Sequence, residues 1–262
     1  MPPAKKRTRS YDPAKTRAAV LAQFAHVRDA VRALTPDQLD RPTRLGDRTV
    51  RDLAAHLALT LDTVVRALDE AEPAARELAL LDWPFADRAG PGEYAAERPD
   101  LDALYADVAE RIAARLPDAP DNRLVRVLPA PGSGVMTLGD AMVTRAAELC
   151  LHTDDLNDAV PGLGIPYDRQ ALAACTRLLA DALAAKAPGG SVEVRVPPYA
   201  VVQCVEGPKH TRGTPPNVVE TDPLTWLRLA TGRTRWAAAL DAAEVSASGE
   251  RADLSGLLPL MS

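Results

Sequence analysis

Ala187-Pro188-Gly189-Gly190-Ser191-Val192-Glu193-Val194-Arg195-Val196 is where the texture of this chain changes. Upstream, apolar residues recur at every third or fourth position; downstream, they alternate with polar ones. Pro188-Gly189-Gly190 interrupts regular structure and is the best linker candidate. Ser191-Val192-Glu193-Val194-Arg195-Val196 has the two-residue period of a strand, and Ala200-Val201-Val202-Gln203-Cys204-Val205 reads as its partner across Pro197-Pro198. Val218-Val219-Glu220 predicts a third strand. Asp222-Pro223 caps a helix carrying Leu224, Leu227 and Leu229, which Gly232 stops. Trp236 and Leu240 mark a second short helix, and Glu244-Val245-Ser246-Ala247-Ser248-Gly249 a returning strand. Residues 191–262 therefore read as a small α+β domain.

Working back from the linker, residues 168–186 form a helix, and residues 12–187 as a whole an all-helical unit. Asp12-Pro13 opens a first helix whose face is Val20, Phe24, Val27, Val31 and Leu34. Thr35-Pro36-Asp37-Gln38 opens one short turn. Thr49-Val50-Arg51-Asp52 resembles a capping box, with aspartate where glutamate is usual, and starts a long helix running to about Glu72. Residues 73–98 read as an irregular excursion. Leu101, Leu104, Val108 and Ile112 mark a further helix, and the loop after Pro117 holds a short strand around Val125. Thr137-Leu138-Gly139-Asp140 repeats the cap signal and opens a helix ending near Pro161-Gly162. Residues 1–11, with Lys5, Lys6, Arg7 and Arg9, read as a disordered basic tail.

Composition bounds the function. The chain has 262 residues, 47% hydrophobic and 26% charged, enough for a sizeable core. Aromatics are only 4%, so that core is mainly Ala, Leu and Val, which favours close-packed helices. A net charge of −5 argues against a general nucleic-acid surface. No segment approaches the roughly 18 consecutive apolar residues of a membrane span. The basic start has no apolar stretch behind it, so no secretory signal is expected. Cys150, Cys175 and Cys204 are odd in number and far apart; a reducing cytoplasm is the expected compartment.

Within the helical unit, Glu148-Leu149-Cys150-Leu151-His152 puts a carboxylate and an imidazole four residues apart, on one helix face. His56 lies on the helix opened by Thr49. His56, Glu148 and His152 together would make a three-ligand metal site with open positions, as catalytic metals require. The spacing alone leaves a surface helix pair as the alternative. Two imidazoles and a carboxylate suit zinc, nickel, iron or manganese. Cys150 is offset from that face and reads as a small core residue. Asp52 and Asp155 could each fix the tautomer of a neighbouring histidine; ordinary capping and a solvated charge are the respective alternatives. His26 and His210 lack partners at metal spacing. No phosphate-binding glycine loop and no Ser/His/Asp constellation stands out.

Taken together, Thr49-Val50-Arg51-Asp52, Ala55-His56-Leu57, Glu148, His152 and Asp155-Leu156 resemble the motifs of the mycothiol-dependent maleylpyruvate isomerase family. The resemblance implies an N-terminal DinB-like four-helix bundle. It places a divalent metal, commonly zinc, on His56, Glu148 and His152, and implies mycothiol as thiol cofactor. The stretch from Arg212 through Trp226 and Thr231-Gly232-Arg233 to Ser248-Gly249-Glu250-Arg251-Ala252-Asp253-Leu254 resembles a bacterial sterol-carrier-protein-like domain. The family resemblance further implies a second-domain arginine (Arg212, Arg228 or Arg233) facing an anionic substrate. One motif departs: the family's Pro-Gly-Trp before Thr-Val-Arg-Asp is replaced by Leu45-Gly46-Asp47-Arg48. Two functions follow as expectations. One is a metal- and mycothiol-dependent isomerase or S-transferase acting on a small electrophilic molecule. The other is a carrier of an apolar ligand whose metal site is structural or vestigial.

Overall fold

The computed structural model describes residues 9–86, 100–128, 134–208 and 216–261. Lys5, Lys6, Arg7, His210, Arg212 and most of the 87–98 excursion lie outside the described residues.

The helices begin where their caps predict. Helix α1 (Pro13–Arg32) starts behind Asp12, whose carboxylate accepts from the Lys15 amide. Helix α2 (Pro36–Leu39) is one turn with a complete Thr35/Gln38 capping box. Helix α3 (Val50–Asp69) has the same device in Thr49 and Asp52. It ends at Asp69, earlier than the apolar period suggests, because Glu70 is already extended; the chain is leaving the helix ahead of Pro73. Helix α4 (Leu101–Arg115) and helix α5 (Leu138–Ala159) begin behind Asp100 and Thr137. Helices α1, α3, α4 and α5 form a four-helix bundle in which α3 packs on α4 and α5, and α1 packs on α5 and α4.

Strand β1 (Leu124–Arg126) pairs antiparallel with a strand that the residue pattern does not announce, β2 (Val135–Thr137). Three residues are too few for a period to register. The early part of the excursion is not idle either: Glu77 and Leu78 donate their amides to the Val135 carbonyl. A 3-10 turn at Trp83–Phe85 drops Trp83 into the core.

Helix α6 (Arg169–Lys186) lies against α1 and α5 on one side. Its other side meets a four-stranded sheet of order β4-β3-β5-β6, formed by β3 (Val192–Val196), β4 (Ala200–Cys204), β5 (Val218–Thr221) and β6 (Val245–Ser248). Strands β3 and β4 are antiparallel, β3 and β5 parallel, β5 and β6 antiparallel. Alternation does what the pattern requires: Val192, Val194 and Val196 point inward, as do Ala200, Val202 and Cys204. The junction is tight. The Val205 amide donates to the Ala187 carbonyl, Ser191 donates to Val205, and a Cβ at Gly189 would collide with the Val205 carbonyl. Helices α7 (Pro223–Ala230) and α8 (Trp236–Asp241) complete this α+β unit, with α7 packed on α6. Among the described residues no helix is long and apolar enough to cross a membrane.

Helix α5 is the centre of the molecule. Every residue from Ala141 to Leu151 is buried. A helix buried all round should be apolar all round, yet α5 also buries Thr144, Arg145, Glu148, Thr153, Asp154 and Asp155. Each must find partners or cost stability, and those partners define the site.

Candidate metal centre

Packing of α3 on α5 brings His56, Glu148 and His152 together; one ligand atom from each lies within 4.8 Å of the others. Glu148 Oε2 is 3.3 Å from His152 Nε2 and 3.9 Å from His56 Nε2. The two imidazoles meet edge to face, centroids 5.1 Å apart. The register of the two helices is tied one turn away. Arg145, buried on α5, donates from one Nη to the Thr60 carbonyl and the Thr63 hydroxyl of α3. Sequence reasoning passed over Arg145; its signal is a lone cation in the apolar run from Met142 to Ala147.

The two aspartates beside the histidines have different jobs. Asp52 is taken up by capping: its Oδ2 accepts from the Thr49 amide at 2.9 Å and from the Thr49 hydroxyl at 2.7 Å. Asp155 is the tautomer-fixing one, with Oδ2 2.9 Å from His152 Nδ1. Burial alone would raise the Asp155 carboxyl, but hydrogen bonds from His152 and Arg233 outweigh it and hold it down to about 2. It is therefore a carboxylate, an acceptor only, so His152 donates from Nδ1 and keeps the Nε2 lone pair for Glu148's side of the site. Burial pushes His56 below the ordinary histidine range, with Glu148 opposing, so His56 is neutral at pH 7. Burial also acts downward on His152, but Asp155 and Glu148 overcome it and raise that ring. Neutral imidazoles beside a carboxylate are the donor set that a borderline divalent cation takes; the three residues fit one.

Arginines from outside the bundle surround this group. Arg228 makes a forked contact to Asp154, at 3.0 Å from Nε and 2.7 Å from Nη2 to Oδ1. Arg233 makes another to Asp155, at 2.8 Å and 2.6 Å. Both arginines come from the second unit, and both are engaged by aspartates of α5. Arg44 reaches the same acidic face, 3.5 Å from Asp154, 3.6 Å from Asp155 and 2.7 Å from Asp158. It stands just before Leu45-Gly46-Asp47-Arg48, in the loop where the family motif departs. His26, the other described histidine, is on α1, outside the cluster. Cys150 is fully buried, and burial raises its thiol well above the ordinary range, so it is a core residue.

Comparison with known proteins agrees with this geometry. No curated protein matches the sequence. The crystal structure of the mycothiol-dependent maleylpyruvate isomerase superposes with a TM-score of 0.58 at 12% identity, covering 93% of this chain and 95% of that one. A histidine-to-alanine mutant of that enzyme superposes with the same TM-score at 13% identity and the same coverage. YfiT from Bacillus subtilis, described as a probable metal-dependent hydrolase with an unusual four-helix bundle topology, has 23% identity and a TM-score of 0.39 over 59% of this chain and 92% of its own. At these identities the likeness to the isomerase shows the fold, a DinB-like bundle followed by an α+β unit. The bacterial SCP ortholog family matches residues 168–260, taking α6 in with the sheet. The mycothiol maleylpyruvate isomerase N-terminal domain family matches residues 20–157, more than half of the sequence, and the chain belongs to that family.

Proposed function

We propose that the protein is a metal- and thiol-dependent enzyme of the isomerase or S-transferase kind, acting on a small electrophilic molecule with mycothiol as the thiol. The observation that carries this reading is the convergence of His56, Glu148 and His152 within 4.8 Å at the centre of the fold. Three protein ligands leave coordination positions for a small molecule, where a purely structural zinc site has four. We take zinc as the metal. A divalent cation held here lowers the pKa of a bound thiol, so that the sulfur is nucleophilic at neutral pH.

The chain's own residues prepare that chemistry. His56 is neutral through burial and needs no proton removed at pH 7. Asp155 fixes the His152 tautomer, and Glu148 brings the negative charge that a cation requires. The side chains of His56, Glu148 and His152 keep 17%, 11% and 12% of their surface, so the site is recessed but reachable. The division into a metal-binding bundle over residues 12–187 and a second domain over 191–262 belongs to this reading, as does a cytoplasmic location; three free, buried cysteines accord with a reducing compartment.

Elemental analysis of natively purified protein tests the metal, with about one divalent ion per chain expected. Stoichiometric metal retained by a His56→Ala, His152→Ala double mutant overturns the assignment. A panel of thiol-reactive electrophiles with mycothiol supplied tests the activity. No turnover by the metal-loaded protein, with an apolar molecule co-purifying on the second domain, replaces it with the carrier function.

A further inference from the structure

Arg233 belongs to the α+β unit, His152 to the bundle, and one carboxylate joins them. Asp155 Oδ2 lies 2.9 Å from His152 Nδ1 and 2.6 Å from Arg233 Nη2. Arg233 Nε closes the fork on Oδ1 at 2.8 Å. Asp155 is fully buried, and the side chains of Arg233 and His152 keep only 10% and 12% exposure. This is a chain of charge-assisted bonds shielded from water, the setting in which geometry is best enforced.

The aim of Arg233 is built into the end of α7. Thr231 is the C-cap, Gly232 turns the backbone left-handed at φ +71°, and Arg233 follows. The Gly232 amide donates to the Leu229 carbonyl, and the Arg233 amide donates to the Arg228 carbonyl at 2.8 Å. This pair of bonds is the Schellman arrangement, which fixes the direction in which the chain leaves a helix. Arg228 and Arg233 are thereby held beside each other and reach Asp154 and Asp155 respectively. A carboxylate facing a histidine through one oxygen alone can swing; one clamped at both oxygens by a guanidinium fork cannot without breaking both bonds.

We infer that Arg233 is a positioning residue for the metal centre: acting through Asp155, it fixes the tautomer and ring orientation of His152, so the second unit completes a site whose ligands all lie in the first. The inference rests on the reading of His56, Glu148 and His152 as metal ligands. It separates the roles of two adjacent arginine–aspartate pairs, since Arg228–Asp154 has no bond to a ligand histidine and serves docking.

The test compares Arg233→Met with Arg228→Met in the full-length protein, reading Zn²⁺ affinity by chelator competition. Arg233→Met is expected to weaken Zn²⁺ about 10- to 100-fold, the range for losing a partner that orients a metal-bound histidine. Arg228→Met is expected to leave it unchanged. A second readout needs no metal: the ¹⁵N shifts of the His152 ring report its tautomer. Wild type should show one form, protonated at Nδ1, and Arg233→Met a mixture. Arg233→Lys keeps the charge but loses the fork, and should fall between the two; it also carries the test if Arg233→Met does not fold. Equal weakening by both methionine variants would mean that loosened docking is the cause, and overturns the inference. So do unchanged affinity and an unchanged tautomer in the Arg233 variants. A wild type that binds no Zn²⁺ but shows the expected tautomer change sinks the metal reading and leaves the role of Arg233 in place.

Discussion

Asp154→Asn isolates the docking of the two units from the metal centre. Asp154 is 1% exposed and takes the Arg228 fork, with the Tyr167 hydroxyl 3.4 Å away and Arg44 at 3.5 Å. Asparagine has nearly the same shape but turns one acceptor into an NH₂ group facing guanidinium donors. Removing one partner of a wholly buried ion pair costs about 3–5 kcal/mol, and an exposed pair contributes about 0–1 kcal/mol. This pair lies between those limits, because the Arg228 side chain is 37% exposed and can turn to water. Discounted for that screening, the loss is about 1–3 kcal/mol. For a chain of this size it lowers the melting temperature by about 2–10 °C. Differential scanning calorimetry reads the shift. Because the carboxylate end is buried, the deficit should persist at about 0.5 M NaCl, where an exposed pair would be screened away. Zn²⁺ affinity should stay at the wild-type value, since Asp154 has no bond to a ligand histidine. A shift below about 1 °C would refute the reasoning, for a tie worth less than a few tenths of a kcal/mol does not hold two units together.

Glu148→Gln should weaken Zn²⁺ by at least about 10- to 100-fold, the loss seen when only an outer partner is removed; chelator competition measures it, and circular dichroism should stay unchanged. Zn²⁺ affinity should fall as pH is lowered, and the fall should begin above the ordinary histidine pKa of about 6.5. His152 is the raised group and holds its proton to higher pH, whereas the lowered His56 stays neutral further into acid; affinity that first declines well below that value contradicts the assignment of Asp155. Thr49→Ala removes the cap that receives the Asp52 amide and should cost about 1 kcal/mol by urea unfolding. All three cysteines are free and buried, and burial pushes the Cys175 thiol up to about 12, so an aromatic disulfide reagent should label none in the native protein and all after denaturation.

The parts legible in the sequence are those that depend on neighbours along the chain. Asp12, Thr49, Thr137, Asp168 and Asp222 each stand one residue before a helix, because a cap acts within three residues. The alternation after Gly190 gave β3 and β4 nearly to the residue. Glu148 and His152 could be paired from one helical turn, and His56 joined them through its motif. What stayed hidden depends on distance across the fold. Asp52 and Asp155 look alike beside their histidines, and only tertiary packing sends one to a cap and the other to a ring nitrogen. Arg228 and Arg233 were visible as cations facing the junction, but their aspartates come from α5, more than 70 residues away. Strand β2 was missed because it is three residues long and runs straight into a helix cap.

Helix α6 has no solvent-facing residue between Ala171 and Ala184; each position there is buried or half-buried. One flank rests on α1 and α5, the other on β4 and α7. When either neighbour melts, a flank of this helix is stripped, and its alanines and leucines lose the burial that holds a helix of modest length together. Heat should therefore take the whole molecule apart in a single transition. A fragment of the sheet alone, begun after Gly190, would present the surface that α6 covers and would aggregate. The helix makes two folding units into one cooperative one, and that cooperativity keeps Arg233 at hand whenever His152 is folded.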